Sequence, residues 1–590
     1  MSIQVGEVIE VNGVRVVLKI FEESSKDTLF YKGDKYKGIS IREYVIIGRG
    51  FRDIVCRVEG EYLDEKRFET DNQKVSYIRK VDVRPIGYFQ EGSFFEGIKY
   101  LPMIKDPAYL SSESMIETIF SPDVNEGFVI GEMLKEALPI SLPWKKLFNT
   151  HIGIFGNTGS GKSNTLAKLY TTLFSNKKEL IRGKSSFTVI DFNGEYTGDQ
   201  LVEQGDKITF NLDTKNDDGD KFPLVAGEFW NKETLAILFK ATANTQTPFI
   251  NRIVSGRERF GGDIQNLKNY IRATFQRSFT TTNQRRESSE LLKAIVDIID
   301  NQPLKHILNS LVWRGDQSKF SCPGPAGTVY FDGQEHAYDT VFRQEVDAIN
   351  LNGLDAFGEL IIRVNLQLIN DLLFGYVQFE HIQPLLKRIE ASTSALSRVI
   401  SIDGENTELP LLTVISLRKC NQEIKKVVPL LLAKHFYEHH KNSVGNPPDR
   451  TLHLIIDEAH NILSEQSTRE QESWKDYRLE LFEEIIKEGR KFGMFLTLAS
   501  QRPADISPTI MSQIHNFFIH RLVNDKDLYL LDSTISTLDK LSKSMIPSLA
   551  KGCCIVTGTS FELPMVLQVE QLTKEYQPDS EDVDLEDLWS

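Results

Sequence analysis

At 590 residues the chain is long enough for several domains or one elaborated motor, and 40% hydrophobic with 26% charged residues is the balance of a soluble globular protein. No apolar run nears the roughly 18 residues of a membrane span and no secretory signal pattern is visible, so no membrane partner and a reducing cytoplasm are expected. A net charge of −14 argues against a general nucleic-acid binder, but half of it sits in Glu575, Asp579, Glu581, Asp582, Asp584, Glu586 and Asp587, which leaves room for a local basic lining elsewhere.

In chain order, Val5–Val11 and Val14–Ile20 flank Asn12-Gly13, the signal for a hairpin closed by a type I′ turn. Further strands are expected at Tyr44–Ile47, Ile54–Val58 and Tyr77–Pro85, and short strands at this spacing suggest a small β-barrel. A Gly- and Phe-rich stretch from Pro85 to Pro102 would lead out of it.

The apolar run His151–Phe155 reads as a buried parallel strand, and a helix is expected from Ser163 to about Leu173. Between them, Gly156, Asn157, Thr158, Gly159, Ser160, Gly161, Lys162 and Ser163 spell G-x-x-x-x-G-K-[ST], followed by Asn164. In a strand–loop–helix setting these glycines let backbone N–H groups and a helix N-terminus point at phosphate oxygens. Lys162 would reach the β/γ-phosphates of ATP and Ser163 would hold Mg²⁺.

Phe187–Asp191 is a strand ending in an acidic turn. The stretch 216–400 carries helical periodicities such as Ile264–Phe275 and Leu360–Leu373 and reads as a mostly helical insertion. Lys268, Arg272, Arg277, Arg285 and Arg286 within it are candidate DNA contacts. A strand at Leu411–Leu417 and a helix from about Asn421 to His440 resume the core. His435, Glu438 and His439 fit an H-x-x-E-H zinc pattern, but they fall on a helix inside the nucleotide-binding core with no third ligand in view, so zinc is not expected.

Leu452–Ile456 then forms an apolar strand ending in Asp457 and Glu458, at the edge where open α/β sheets place ligands. Asp457 would complete the Mg²⁺ shell and Glu458 would polarise the attacking water. A helix at Leu479–Glu488 leads through a glycine to Arg490, and a strand ends at Ser500-Gln501, where the amide can sense the γ-phosphate or the water. Cys56, Cys322, Cys420, Cys553 and Cys554 show no zinc spacing. The acidic tail ends in Leu588-Trp589, apolar anchors in a segment of disordered composition.

Asp191-Phe192-Asn193-Gly194-Glu195-Tyr196 resembles the D-x-x-G-E-Y signature of the HerA family of hexameric translocases, in the FtsK–HerA branch of additional-strand RecA-like ATPases. The phosphate loop with Asn164, Asp457-Glu458-Ala459-His460-Asn461, Glu488-Gly489-Arg490-Lys491-Phe492-Gly493 and Ser500-Gln501-Arg502-Pro503 agree with it in order. The resemblance implies an N-terminal HAS-barrel and makes Arg490 the candidate arginine finger acting on a neighbouring subunit's nucleotide, with Arg502 the runner-up.

The fold expected is therefore α/β: a RecA-like P-loop core with a mostly helical insertion, preceded by a small β-barrel. The expected division is a barrel at 1–100, core at 101–215, insertion at 216–400, core at 401–570 and acidic tail at 571–590. By resemblance the protein is an ATP-hydrolysing homohexamer that translocates double-stranded DNA. It would work in antiphage defence with an effector, a sirtuin-like NADase or a nuclease, docked through the barrel. The alternatives are a regulatory ATPase scaffold that gates its effector without processive translocation, or an end-resection motor with a NurA-like nuclease.

Overall fold

A computed structural model describes residues 3–24, 28–31, 34–67, 75–120, 127–324, 327–402, 410–465, 472–579 and 589. Strands β1 (Gln4–Asn12), β2 (Arg15–Ile20), β3 (Thr28–Tyr31), β4 (Asp34–Lys37), β5 (Tyr44–Arg49), β6 (Arg52–Arg67), β7 (Val75–Gln90), β8 (Ser93–Glu96) and β9 (Pro107–Leu110) open the chain. The order β2-β1-β9-β5-β6-β7 closes on itself where β7 pairs with β2, which gives a six-strand barrel with β8 added outside on β7. Period-two alternation explains the closure: Val45, Ile47, Ile54, Cys56, Val81 and Val83 fill the interior, while Tyr44, Ile46 and Val55 face outward. These outward residues pack on Ile116, Ile119 and Phe120 of the helix Glu113–Phe120, and Arg57 reaches Asp539 through two bonds of 3.0 and 3.1 Å. The barrel is thereby seated on the core by one side wall.

Two expectations change here. Asn12 pairs with Arg15, so the hairpin loop is Gly13-Val14, and Gly13 alone has positive φ (62°); this matches a type II′ turn, not type I′. The barrel also extends past residue 100, because β9 is its closing strand between β1 and β5, and the Pro85–Pro102 stretch is part of it through β7 and β8.

The core follows with β10 (Val129–Met133), β11 (Pro139–Ser141), β12 (Ile152–Phe155), β13 (Ser185–Asp191) and β14 (Lys207–Asp213). An excursion carries the short β15 (Phe222–Pro223), an antiparallel trio β16 (Val312–Arg314), β17 (Lys319–Gly324) and β18 (Gly327–Tyr330), and the short β19 (Ile400–Ser401). Its long helices are Gln246–Phe260, Ile264–Thr280, Glu287–Ile299, Ala356–Leu373 and Phe379–Val399. The core resumes with β20 (Leu412–Lys419), β21 (Thr451–Ile456), β22 (Met494–Ser500), β23 (Asn516–Ile519), β24 (Cys553–Gly558) and β25 (Met565–Val569).

These form an 11-stranded sheet, β11-β10-β25-β24-β23-β12-β22-β21-β13-β20-β14. Neighbours from β14 to β23 run parallel, and β24, β25, β10 and β11 extend the sheet antiparallel. One face (Ile154, Val189, Val414, Ile455) packs on Leu166, Leu169 and Tyr170 of the helix Lys162–Ile181. The other face (Phe155, Ile190, Ile415, Ile456) is continuous with Phe249, Phe275, Phe279 and Leu366 of the insertion. The insertion thus shares its hydrophobic core with the sheet, and the β16–β18 trio within it lacked the helical period by which the region was read.

The first part of the acidic tail is ordered against the core: the Asp579 N–H donates to the Glu195 carbonyl at 3.0 Å and Tyr576 packs on the sheet's first face. Glu581, Asp582, Asp584, Glu586, Asp587 and Leu588 lie outside the described residues, and Trp589 is exposed. Among the described residues no helix is long and apolar enough to cross a membrane.

Among the described residues His151, His440, His453 and His520 are buried. His151 accepts from the Leu496 N–H at Nδ1 (3.0 Å) and donates from Nε2 to the Ile486 carbonyl (2.8 Å), and His453 stacks on Phe187 with ring centroids 4.5 Å apart. Burial pushes His151 and His520 down to about 4 and His453 down to about 3. Because their folded-state values lie below the unfolded value near 6.5, the stability they contribute is full above that pH and is lost as pH falls toward 4. Thermal unfolding is therefore expected to show Tm falling between pH 7 and pH 5; an unchanged Tm would show that these sites admit protons while folded.

Candidate active site

The sequence places a loop at the C-terminal end of β12 because Gly159 and Gly161 supply positive φ (72° and 107°) just before the helix Lys162–Ile181. Close approach also demands glycine: a Cβ at Gly161 would stand 2.9 Å from Gly552 Cα. The loop is braced from behind. Asn157 N–H donates to the Arg521 carbonyl (2.9 Å), Gly552 N–H donates to the Ser160 carbonyl (2.9 Å), and Ser160 Oγ donates to the Asn157 carbonyl (2.7 Å). Asn164 clasps the chain after β25, donating to the Glu570 carbonyl (3.1 Å) and accepting from Leu572 N–H (3.2 Å).

β22 lies between the phosphate-loop strand β12 and β21, the strand that ends at Asp457 and Glu458. This is the additional-strand order, and it gathers four candidate residues. Lys162, 6% exposed, sets its Nζ 3.1 Å from Glu458 Oε1 and 3.6 Å from Asp457 Oδ1. Gln501, at the end of β22, donates from Nε2 to Glu458 Oε1 (3.3 Å) and accepts from Thr158 Oγ1 (2.6 Å). It therefore bridges the tip of the phosphate loop to the acidic strand end. Glu458 has φ of 50°, a costly conformation for a non-glycine residue that turns its carboxylate toward Lys162.

The electrostatics are those of an acidic pocket with a buried lysine. Burial pushes Asp457 up against the opposing pull of Lys162, with Glu195, Glu458 and Asp191 adding to the rise. Burial would raise Glu458 too, but His460 and Lys162 outweigh it and hold it low. Burial would lower Lys162, yet Asp457 and Glu458 keep its ammonium above the ordinary value. Asp457 Oδ2 and Glu195 Oε2 are buried without hydrogen-bond partners. Unspent carboxylate oxygens beside a phosphate loop fit a divalent cation. Mg²⁺ takes one or two carboxylates and completes its shell with phosphate and water, so Asp457 with Ser163 would suffice to hold it here. Ser163, at the start of the helix, lies beside Tyr196 and is half-buried.

Three residues of the pocket had no role in the sequence reading. Glu195 is placed by Asp191, whose Oδ1 accepts from Asn193 and Gly194 N–H (3.2 and 2.7 Å) and whose Oδ2 accepts from Tyr196 N–H (2.9 Å). The signal was present, since Asp191 and Gly194 (φ 77°) are the residues such a turn requires. His460 Nδ1 sits 3.2 Å from Glu458 Oε2 and 3.3 Å from Ser500 Oγ. His520, behind the loop, meets Thr165 Oγ1 at 2.9 Å, a contact across 355 residues with no local signature.

Arg490 lies elsewhere. It is exposed at the start of β22, with NH1 3.5 Å from His515 Nε2. The strand's seven residues separate it from the pocket by roughly 20 Å at about 3.3 Å per residue, beyond reach of its own phosphate loop. Arg502, exposed, follows Gln501 and its N–H donates to Ser500 Oγ at 3.0 Å. In the H-x-x-E-H segment, His435 Nδ1 pairs with Glu228 Oε2 at 2.7 Å and Glu438 pairs with Lys434. The cysteines are all buried and free.

Residues 128–302 match the family described as Helicase HerA, central domain. A Methanocaldococcus jannaschii protein named as a probable helicase is 24% identical over 486 residues, covering 82% of this chain and 77% of its own. A second so named from that organism is 21% identical, covering 90% and 83%. The DNA double-strand break repair helicase HerA of Sulfolobus acidocaldarius is 22% identical, covering 80% and 74%. The family match spans the phosphate loop and the Asp191 turn, and the relatives extend the likeness along most of the chain: it is a P-loop ATPase similar to the HerA helicases.

Proposed function

We propose that this ATPase is a DNA motor that works as a homohexameric ring on double-stranded DNA and delivers its work to a partner effector. The observation that carries the reading is β22, with Gln501 in the pocket at one end and Arg490 at the opposite edge of the sheet, where only a neighbouring subunit's nucleotide could meet it. A ring supplies that neighbour at every site. The HerA relatives, named as DNA repair helicases, support DNA as the track.

In the pocket, Lys162 would exchange its contacts with Asp457 and Glu458 for the β/γ-phosphates. Ser163 and Asp457 would hold Mg²⁺, which would supply positive charge against the negative charge of the phosphates. Glu458, released from Lys162, takes the proton of the attacking water; Gln501 orients that water, and the neighbour's Arg490 stabilises the transferring phosphoryl group. ATPase rate with and without linear duplex DNA tests the motor. Several-fold stimulation is expected; full basal turnover with no response to DNA would favour the regulatory scaffold.

The effector, a nuclease or a sirtuin-like NADase in the antiphage reading, would dock on the barrel. Phe51, Met103 and Ile104 are exposed at the end of the barrel where β5 turns into β6, remote from the Arg57–Asp539 bond to the core. Because β9 closes the barrel, a deletion at residue 100 would break it, so substitution is the cleaner probe. Phe51→Glu with Met103→Glu is expected to abolish co-purification with the product of the neighbouring gene while ATPase activity persists. Retained binding would move the dock to the insertion.

A further inference from the structure

The insertion has a feature that the ATPase reaction does not use. At the end of the helix Ala356–Leu373 the chain turns through Phe374-Gly375-Tyr376, with Gly375 at φ 72°. The Tyr376 N–H bonds back to the Asp371 carbonyl (2.8 Å) and Gly375 N–H to the Leu372 carbonyl (3.2 Å), which closes the helix with a Schellman motif. In such a motif the residue after the glycine usually packs back on the helix. Here Phe374 and Tyr376 are 58% and 71% exposed, with ring centroids 5.8 Å apart and planes within 32°. Two large rings are held outward by a rigid turn.

Their surroundings are basic. The Arg277 guanidinium lies 5.4 Å from the Phe374 ring. The loop Thr281–Arg286 lies alongside, since Asn283 Nδ2 donates to the Leu373 carbonyl at 3.3 Å. That loop is pinned by buried Gln284, which donates to the Phe331 carbonyl (2.8 Å) and accepts from Phe320 N–H (2.9 Å), so the exposed Arg285 and Arg286 stand on a fixed base. No Asp or Glu occurs in 277–286 or 374–378, and Asp371 below is neutralised by Arg252 at 2.8 Å. Two helices end here and two begin, at Glu287 and Phe379, so their dipoles offset, and Arg285 and Arg286 stand on the loop ahead of the first-turn acids Glu287 and Glu290, with Glu380 opening the other helix.

We infer that this turn and loop form an accessory platform for single-stranded DNA, on which unpaired bases stack over Phe374 and Tyr376 while Arg285 and Arg286 hold the flanking phosphates. A paired duplex hides its base faces, whereas aromatic rings beside arginines match the two chemistries that a single strand presents. The inference rests on DNA being the substrate of the ring, and it assigns to the insertion the unpaired strand at a DNA end.

The test uses the full-length protein and a fluorescein-labelled oligothymidylate, read by anisotropy. Phe374→Ala with Tyr376→Ala is expected to weaken single-strand binding by about tenfold or more, at ~1–3 kcal/mol per stacked base. Phe374→Trp with Tyr376→Trp should restore it. Arg285→Glu with Arg286→Glu should weaken binding and flatten its dependence on salt. Basal ATPase and Tm should stay within about twofold or a few degrees in each variant, and duplex affinity within about twofold in the double alanine variant, since these side chains are exposed. Parental single-strand affinity in the double alanine variant would overturn the platform, as would tighter capture of oligouridylate than oligothymidylate. If duplex DNA fails to stimulate the parent ATPase while the alanine pair still loses the oligonucleotide, the motor reading falls and the platform stands.

Discussion

Glu458→Gln is expected to bind ATP as the parent does and to hydrolyse it about 10²–10⁴-fold more slowly. The amide keeps the shape of the side chain and the contact with Gln501, but it cannot take a proton from water, and it loses the charge that now holds Lys162 at 3.1 Å. Freed of that contact, Lys162 meets the phosphates with less competition, so ATP affinity should rise or hold while kcat falls. Lys162→Ala makes the complementary loss: binding itself is expected to fail, and Asp457, Glu458 and Glu195 are left with their buried counter-charge removed. Equilibrium binding of a fluorescent ATP analogue and single-turnover hydrolysis separate the two. A Glu458→Gln protein with parental kcat would show that another group, Glu195 being nearest in chemistry, activates the water.

Arg490→Ala is expected to cost about 10³-fold or more in kcat and to be rescued in trans. Mixed with Glu458→Gln subunits, some Arg490→Ala subunits gain a neighbour whose finger is intact, and their own Glu458 is intact as well. Activity should therefore pass through a maximum as the mixing ratio changes. Two inactive parents that stay inactive at every ratio would exclude a trans role and turn attention to Arg502, which stands next to Gln501 on the same side of the sheet as the pocket. Native mass spectrometry of the same mixtures reports the ring, and monomers with full turnover would remove the need for one.

What could be read beforehand was what short stretches of chain determine. The phosphate loop announces itself because its glycines, lysine and serine must be adjacent, and the strands at 152–155, 412–419 and 451–456 are apolar runs that a sheet covered on both faces requires. The hidden parts are pairings between distant residues. β10 bonds to β25 through Gly131 and Val569, and β9 closes the barrel between two strands that precede it; neither has a pattern of its own. The trio β16–β18 was hidden by the helical surroundings in which its short strands lie. Within the pocket, Lys162, Asp457, Glu458 and Gln501 were found one by one from their motifs, Glu195 and His460 stood in quoted motifs without a role, and His520 becomes visible only when strands far apart in sequence are folded together.

The clasp between Asn164 and residues 570–572, with Gly552 behind Ser160, has a consequence for the birth of the protein. The loop that cradles phosphate is synthesised well before its supports, and Leu572 emerges 408 residues after Asn164. A ribosome-bound chain that stops short of residue 569 carries a loop without its backing and a β10 edge without its partner. Competence to hold nucleotide therefore waits for residues 552–572, so products truncated before them carry the signature motif and stay silent.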